Sequence, residues 1–430
     1  MEIALLALIA FLAVSAIGMP IGPASIVIGM GYLLLTGQDV GIAGEKILNG
    51  LSTKFLLLAV PLFIFTANVM DAGTISRRLL EFCQLLVGRF RGGLAQVNIV
   101  ASVIFSGMSG SAIADAAGIG RVIIGMMVQN NRYSPGFAAA LTAASATIGP
   151  IIPPSIPMIL YALVADTSIL YLFLGGVIPG LMMAFSLMVI VAIIARRRNF
   201  PTEKAITLQE MPGTMGRAFL PLMTPVILVG GIYAGVTTPT ESSALAALYA
   251  LILAIVVYRA LNVKQLYHLF RDTAKTTSVV GIIVGGALLL NYIVANQGVP
   301  FALADLLSSL DMSPLVFLIT VTIAFLVLGA FLETPVLLLV LVPMLIPTVN
   351  ALGIDRVHFG VVIVVNIMIG LITPPMGVML FVINGLTGIP LGAIIRELWP
   401  FFIALTIALF VMVVFPETVL WLPRHFGYRG

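Results

Sequence analysis

Residues 149–158 read GPIIPPSIPM, in the middle of an apolar segment that runs from about residue 137 to residue 164. Each proline removes a backbone donor and clashes with the preceding turn, so an ordinary helix cannot continue through this run. A second stretch, GLITPPMGVM at residues 370–379, repeats the glycine, the proline pair and the methionine at the same spacing. The sequence therefore predicts two broken helices, one in each half of the chain.

Composition places these breaks in a membrane. The 430 residues are 60% hydrophobic and 9% charged, with a mean hydropathy of +1.18. This is too little polar surface for a water-soluble globule and indicates an all-α polytopic membrane protein. The net charge of +4 does not indicate a nucleic-acid partner, and the single Cys83 excludes an internal disulfide framework and a cysteine metal site. Backbone breaks at membrane depth are tolerated only where they are buried or line a cavity, so both are candidate binding sites.

Apolar run lengths and basic clusters predict the topology. Basic clusters at 77–91, 196–198 and 259–275 belong in the cytoplasm by the positive-inside rule. Both termini then face the other side, and the N-terminal run, which begins with Glu2 rather than a basic segment, is a retained span rather than a signal peptide. Ten spans are predicted, at about 2–18, 20–36, 55–70, 137–164, 170–195, 217–235, 238–258, 276–295, 358–385 and 398–420.

Two further segments enter and leave on the same side. Spans 137–164 and 170–195 already supply an even number of crossings between two cytoplasmic clusters, so residues 94–128 must form a re-entrant hairpin. Its apolar runs are short and flank SGMSGSAIADAAGIG at residues 106–120. A second hairpin over residues 314–350 is interrupted by GAFLETP at residues 329–335. Amphipathic stretches at 38–54, 72–91, 260–275 and 300–312, with Lys54 and Lys275, predict interfacial arms.

The two halves form a repeat. GMPIGPASIVIGMGYLL at residues 18–34 aligns with GVTTPTESSALAALYAL at residues 235–251, and the tip glycine Gly107 falls opposite Gly329. Each half has five spans and one hairpin, and an odd number of spans inverts the second half. An inverted repeat is the architecture of secondary transporters and favours alternating access over a channel.

The first hairpin offers oxygen ligands for an ion. Ser109 and Ser111 carry hydroxyl groups, and Asp115 lies about one turn into the returning helix. Together with carbonyls near residues 147–151, these groups predict a sodium site, because an ionisable residue at membrane depth is functional by default. The alternative is that the small residues only allow close packing and that Asp115 caps a helix.

Two glutamates can each be interpreted as a structural residue or as an ion ligand. Glu333 precedes Pro335 and is either a helix cap or the second half's ion ligand, close to the break at 369–375. Glu241, in TTPTESS at residues 237–243, is either a cap, a scaffold contact or a direct ion ligand.

An enzyme is a weaker interpretation. GMSG at residues 107–110 matches the GxSG pattern of rhomboid intramembrane proteases, which need a histidine beside the serine. Only His268, His358 and His425 are available, and His358 is expected at the outer edge of a span, which disfavours a dyad with Ser109.

Four motifs together give a specific resemblance. GMSGSAIADAAGIG, GPIIPPSIPMILYA, AGVTTPTESSALAALYAL and GLITPPMGVMLFV resemble the large (M, DctM-like) membrane subunit of TRAP transporters, the tripartite ATP-independent periplasmic systems, over essentially the whole chain. The resemblance implies a bacterial inner-membrane protein that works with a small four-helix membrane subunit and a periplasmic substrate-binding protein. It implies sodium-coupled import of a carboxylate such as sialic acid or a C4-dicarboxylate by an elevator motion; a stand-alone sodium/dicarboxylate symporter is the alternative.

The resemblance also implies site residues and domains. Sodium ligands would be side chains and backbone groups of Ser109, Ser111, Asp115, Gly149, Glu333, Gly370 and Thr373. Substrate contacts would come from Ser111, Thr147, Pro154, Thr373 and Pro374, between the two hairpin tips. The transport domain would comprise 55–165 and 276–385, and the scaffold would comprise 1–54, 166–275 and 386–430.

Overall fold

The computed structural model describes residues 2–52, 55–71, 74–202, 211–309 and 312–430; Lys54 lies outside them. The described residues form helices and connections, with no strand beyond one isolated bridge between Arg91 and Thr202. The all-α prediction is confirmed.

The described residues of the first half form eleven α-helices. They are α1 (Glu2–Ala16), α2 (Ile21–Leu35), α3 (Gly41–Ser52), α4 (Ala59–Asp71), α5 (Thr74–Val87), α6 (Gly93–Ser109), α7 (Ala112–Asp115), α8 (Arg121–Val128), α9 (Pro135–Ala146), α10 (Ile156–Ala165) and α11 (Ile169–Arg197). A 3₁₀ turn, Phe55–Leu58, precedes α4, another, Gln129–Asn131, follows α8, and a π-helical turn, Ala116–Gly120, joins α7 to α8.

The second half also contains eleven α-helices within the described ranges. They are α12 (Met211–Tyr233), α13 (Pro239–Ile252), α14 (Val263–Asn296), α15 (Val299–Ser309), α16 (Pro314–Gly329), α17 (Thr334–Val336), α18 (Val342–Ala351), α19 (Arg356–Gly370), α20 (Val378–Thr387), α21 (Leu391–Val414) and α22 (Glu417–His425). A π-helical turn, Leu337–Leu341, joins α17 to α18, and another, Leu253–Val257, extends α13.

Seven described helices are long and apolar enough to cross a membrane, fewer than the ten predicted spans. An eighth span results if the bent pair Ala59–Asp71 and Ile75–Val87 is counted as one. The predicted spans 137–164 and 358–385 are each divided into two short helices, because the proline-rich stretches interrupt them. Two of the seven are the returning arms of the predicted hairpins, Ala112–Asn131 and Thr334–Ala351.

Two predicted boundaries are wrong. The arm at 260–275 and the span at 276–295 form one helix, α14, because no glycine or proline separates them. The last span, predicted at 398–420, begins at Leu391 after Pro390 and ends at Val414 before Pro416.

Each half packs its helices on helices of the other half, and the pairing is the same in both directions. In the first half α9 contacts α21, and in the second half α19 contacts α11. Likewise α2 packs on α14, and α13 packs on α4. The π-helical turn of each hairpin also contacts the other half, Ala116–Gly120 against α20 and Leu337–Leu341 against α10. The two hairpins and the two broken helices therefore meet in one body.

Candidate functional site

The tip of the first hairpin presses on the first break. Gly110 adopts the left-handed region at φ 58°, which glycine reaches at little cost. A methyl group at Gly110 would lie 2.5 Å from the carbonyl oxygen of Pro154, and one at Gly107 would lie 2.7 Å from Pro225. The turn between α6 and α7 is therefore in close contact with the connection between α9 and α10.

Ser109 and Asp115 form a buried pair across this turn. The side chains are 6% and 3% exposed, and the Ser109 hydroxyl donates to Oδ1 of Asp115. Oδ2 of Asp115 is buried and has no hydrogen-bond partner. A methyl group at Gly149 would collide with this oxygen. The carboxylate thus faces the broken helix at Gly149, which has no side chain.

Asp115 does not cap a helix. The N-cap of α7 is Ser111, whose hydroxyl accepts a hydrogen bond from the amide of Ala114 at 3.4 Å. Asp115 lies inside the returning helix and makes no cap hydrogen bond. The capping alternative for Asp115 is wrong, and the carboxylate is left with one unsatisfied oxygen, which is costly in a buried site unless a ligand supplies the partner.

The other predicted groups of the first break are also buried. Thr147 is fully buried and its hydroxyl donates to the carbonyl of Ala144 at 2.6 Å. The carbonyl of Pro154 faces Gly110, and the peptide bond between Pro153 and Pro154 is cis. Ser155 caps α10 by accepting from the amide of Met158 at 3.2 Å.

The second break is similar in backbone and more open. Gly329 packs on Gly370, and a methyl group at Gly370 would lie 2.8 Å from the α-carbon of Gly329. The Thr373 hydroxyl donates to the carbonyl of Ile369 at 2.9 Å, and the bond between Pro374 and Pro375 is cis. Whereas residues 149–151 and 153–155 are buried, Thr373 and Pro374 are half-buried, and Pro375 and Met376 are exposed.

Glu333 is not joined to this second break by a hydrogen bond. It occupies the N-cap position of α17, but its side chain makes no cap hydrogen bond and is exposed. In the alignment that pairs Gly107 with Gly329, Glu333 takes the place of Ser111 rather than that of Asp115. The two halves therefore carry their acidic residue at different points of the hairpin.

The structure adds polar residues that the sequence reasoning missed. Asn98 donates to the Thr142 hydroxyl at 2.7 Å and accepts from Ser145 at 3.2 Å, which ties α6 to α9. In the second half Asn366 donates to the carbonyl of Thr322 at 2.8 Å across the equivalent pair of helices. The signal was available, because an amide side chain in an apolar run usually has a buried partner.

Asp71 is a further missed residue. A methyl group at Gly118, one turn beyond Asp115, would lie 2.7 Å from Oδ1 of Asp71. A cavity of about 630 Å³ opens beside it, between α5 and the returning arm of the hairpin.

Glu241 is a helix cap. Its Oε2 accepts from the Thr238 amide at 2.8 Å, and the Thr238 hydroxyl accepts from the Glu241 amide at 3.3 Å. This capping box fixes the start of α13.

His358 lies in the first turn of α19, and its side chain is buried. Its Nε2 lies 2.9 Å from the carbonyl of Met412, and Ser109 instead bonds Asp115. Neither His358 nor any other described histidine hydrogen-bonds Ser109, so the geometry lacks the base of an intramembrane serine protease.

No group of three His, Cys, Asp or Glu side chains capable of holding a metal ion occurs within the described ranges. A site at Asp115 would instead rely on one carboxylate, hydroxyl groups and main-chain carbonyls. That set of hard oxygen ligands suits a monovalent cation at a broken helix.

Known proteins are similar to this chain over most of their length. The chain is 43% identical over 413 residues to the sialic acid TRAP transporter large permease protein SiaM of Vibrio cholerae, covering 96% of each chain. It is 37% identical over 376 residues to the C4-dicarboxylate TRAP transporter large permease protein DctM of Pseudomonas aeruginosa, covering 87% of this chain and 88% of that one. It is 37% identical over 406 residues to the 2,3-diketo-L-gulonate TRAP transporter large permease protein YiaN of Escherichia coli, covering 94% and 95%.

A solved structure shares the fold. The crystal structure of the Alcanivorax borkumensis YdaH transporter superposes with a TM-score of 0.63 over 87% of each chain, at 14% sequence identity. Residues 8–418 match the family described as the tripartite ATP-independent periplasmic transporter, DctM component. The relatives are transporters, so the protease interpretation is wrong. The chain is a multi-pass membrane protein that belongs to the DctM family of large TRAP permeases.

Proposed function

We propose that this permease imports a carboxylate substrate in symport with sodium. The observation that carries the proposal is the unpartnered Oδ2 of Asp115, buried at a hairpin tip and facing Gly149 of a broken helix. A cation would neutralise this carboxylate and supply its missing partner. Ser109 holds the other oxygen in place, and carbonyls freed by the prolines of the break complete a plausible oxygen shell.

The names of the relatives support the proposed substrate class. Sialic acid, C4-dicarboxylates and 2,3-diketo-L-gulonate, the substrates in the relatives' names, all carry a carboxylate. We place the substrate between the hairpin tips, next to the N-cap hydroxyl of Ser111 and the half-buried Thr373 and Pro374, with Thr147 and Pro154 behind the first tip. Helix N-termini favour anions, which suits this position.

We propose a second sodium site near Glu333, Gly370 and Thr373. Support comes from the glycine packing that brings the second tip against the second break. Because Glu333 is exposed and hydrogen-bonds no described residue, ion binding there requires its side chain to turn toward the break.

We also propose an inverted repeat that works as an elevator. The exchanged pairing of helices between halves and the matching hairpins support the repeat. The packing favours a partition that differs from the predicted one. It joins α11 and α21 to the hairpins and broken helices, and it joins α4 and α14 to α2 and α13 in the scaffold.

Membership of the family supports a proposal for the membrane, the orientation and the partner subunits of the chain. We propose that the chain lies in a bacterial inner membrane with both termini in the periplasm, and that a small membrane subunit and a periplasmic binding protein work with it. Basic clusters at 77–91 and 196–198 support this orientation.

Uptake in proteoliposomes tests the proposal. The permease is reconstituted with a small subunit and a binding protein, and a panel of labelled carboxylates is offered with an inward sodium gradient or with choline in place of sodium. Uptake of one carboxylate that needs both sodium and the binding protein supports the proposal. Equal uptake in choline contradicts sodium coupling, and uptake without the binding protein favours a stand-alone symporter.

A further inference from the structure

A groove of about 520 Å³ lies where α6 passes the second half of α11, beside the connection between α5 and α6. This size falls in the range of roughly 300–1,000 Å³ that is typical of small-molecule sites. The groove is separate from the proposed ion and substrate site, because none of the predicted ion or substrate residues lines it.

Two arginines stand at its rim without a counter-ion. Arg91 and Arg196 both line the groove and are exposed, and within the described parts of the chain neither forms an ion pair or a side-chain hydrogen bond. Arg198, two residues further on, is instead paired with Glu397 at 2.8 Å. The groove thus presents two positive charges that no described acidic group neutralises.

The backbone holds these two arginines at the same end of the groove. The amide of Gly92 donates to the carbonyl of Pro201 at 3.2 Å, and the backbones of Arg91 and Thr202 form an isolated antiparallel β-bridge. A methyl group at Gly92 would lie 2.9 Å from the β-carbon of Ala195. The connection before α6 is therefore fastened to the end of α11, where Arg196 lies.

A buried amide faces the same groove with an unused acceptor. Gln96 is 5% exposed, and its Nε2 donates to the carbonyl of Met188 at 3.0 Å. Its Oε1 is buried and has no hydrogen-bond partner. A ligand in this groove that offers a hydroxyl donor would remove the cost of that unsatisfied oxygen.

An apolar stripe leads away from the arginines along α11. Leu181, Phe185, Val189 and Ile193 follow one another at four-residue intervals and are 50%, 69%, 40% and 43% exposed. Twelve residues of helix span about 18 Å, close to the depth of one leaflet of a bilayer whose core is about 30 Å thick. The stripe is therefore long enough to contact one acyl chain.

We propose that this groove binds an anionic phospholipid whose headgroup carries a hydroxyl, as in phosphatidylglycerol. The phosphate would lie between the guanidinium groups of Arg91 and Arg196, a headgroup hydroxyl would donate to Oε1 of Gln96, and an acyl chain would follow the stripe. The basic end of a span lies at the membrane surface, where such basic pockets bind lipid headgroups. Two unpaired positive charges beside an apolar wall suit a phospholipid better than a protein helix.

Native mass spectrometry of the purified full chain tests this site. Dioleoylphosphatidylglycerol, dioleoylphosphatidylcholine and free glycerol 3-phosphate are titrated separately. We expect phosphatidylglycerol to bind in preference to the other two. The R91Q/R196Q double variant should bind it about thirtyfold more weakly, since each basic residue near an anionic lipid contributes about a fivefold factor.

The matched control is R89Q/R197Q, which removes the same charge from the same two segments without touching a lining arginine. It should bind phosphatidylglycerol as the unaltered chain does. Equal losses in both double variants, or equal binding of phosphatidylcholine, would overturn the proposal. Binding of glycerol 3-phosphate as tightly as the lipid would show an anion site only. Unchanged lipid binding by R91Q/R196Q combined with lost binding of the small subunit would show a protein interface instead.

Discussion

The carboxylate of Asp115 is positioned by one hydrogen bond and by a missing side chain. Ser109 fixes Oδ1, and only glycine at position 149 leaves room for Oδ2. The neighbouring tip glycine Gly110 is equally constrained, because its left-handed φ and its contact with Pro154 both exclude a side chain. The proposed ion site therefore depends on the Ser109 hydrogen bond and on close packing at two glycines rather than on many ligands.

G149A should therefore impair sodium use. The added methyl group would displace Oδ2 of Asp115, and such overpacking typically costs about 1–3 kcal/mol. That cost corresponds to a sodium concentration for half-maximal uptake that is about fivefold to 150-fold higher. Uptake rates measured against sodium at constant ionic strength provide the readout.

G125A is the matched control, since a methyl group at Gly125 would meet no atom within 4 Å. Its sodium dependence should equal that of the unaltered chain. A G149A protein with unchanged sodium dependence would show that the Asp115 carboxylate does not face the ion.

At the scale of elements, two glutamates occupy helix starts with different environments. Glu241 closes a capping box with Thr238, whereas Glu333 stands at the start of α17 without a cap hydrogen bond. Capping of α13 accounts for Glu241. Glu333 has no hydrogen-bond partner within the described residues and remains available for an ion.

Replacing each glutamate by glutamine separates these roles. E241Q keeps a capping side chain and should change unfolding free energy by less than about 1 kcal/mol, with unaltered sodium dependence. E333Q removes the charge and should raise the sodium concentration required for uptake. Thermal unfolding and uptake are measured on both variants. Equal sodium curves for the two would exclude Glu333 as an ion ligand.

The elements that sequence reasoning located best are those with local signals. The hairpins, predicted at 94–128 and 314–350, extend over 93–128 and 314–351, because glycine and serine mark the first tip and Pro335 restarts a helix after the second. The start of α21 was missed because Arg396 and Glu397 resemble a span boundary. In the structure Glu397 is paired with Arg198, which directly follows α11, a long-range contact that no local pattern contains.

The same distinction applies to the site. Ser109 and Asp115 are six residues apart, so their proximity could be inferred from the hairpin. The place of Gly149 opposite Asp115, and the links of Asn98 to α9, depend on how separate helices pack. Those partners are set by tertiary structure.

For the whole molecule, the proposed elevator divides the chain into a moving group of helices and a scaffold, to which we assign α12. The hairpin tip at Gly107 lies against Pro225 of α12, so this contact would join the two groups. Asn68 of α4 and Thr273 of α14 hydrogen-bond at 3.0 Å within the proposed scaffold. An elevator requires the first contact to break during transport and allows the second to persist.

Reversible crosslinks test this movement. In a C83A background, the G107C/P225C pair can form a disulfide after a small shift, because a β-carbon at position 107 would lie 2.7 Å from that of Pro225, about 1 Å closer than the separation of about 3.8 Å in a disulfide. Oxidation should abolish uptake, and reduction should restore it. The N68C/T273C pair should crosslink without loss of uptake; full activity of oxidised G107C/P225C would contradict the elevator.

The proposed mechanism requires the coupling sodium to bind at Asp115. The initial rate of carboxylate uptake into proteoliposomes is therefore measured against external sodium, at constant ionic strength, for the unaltered chain, D115N and the exposed control D272N. We expect saturable sodium dependence that D272N retains and D115N loses. A D115N protein that keeps the unaltered sodium curve would contradict it.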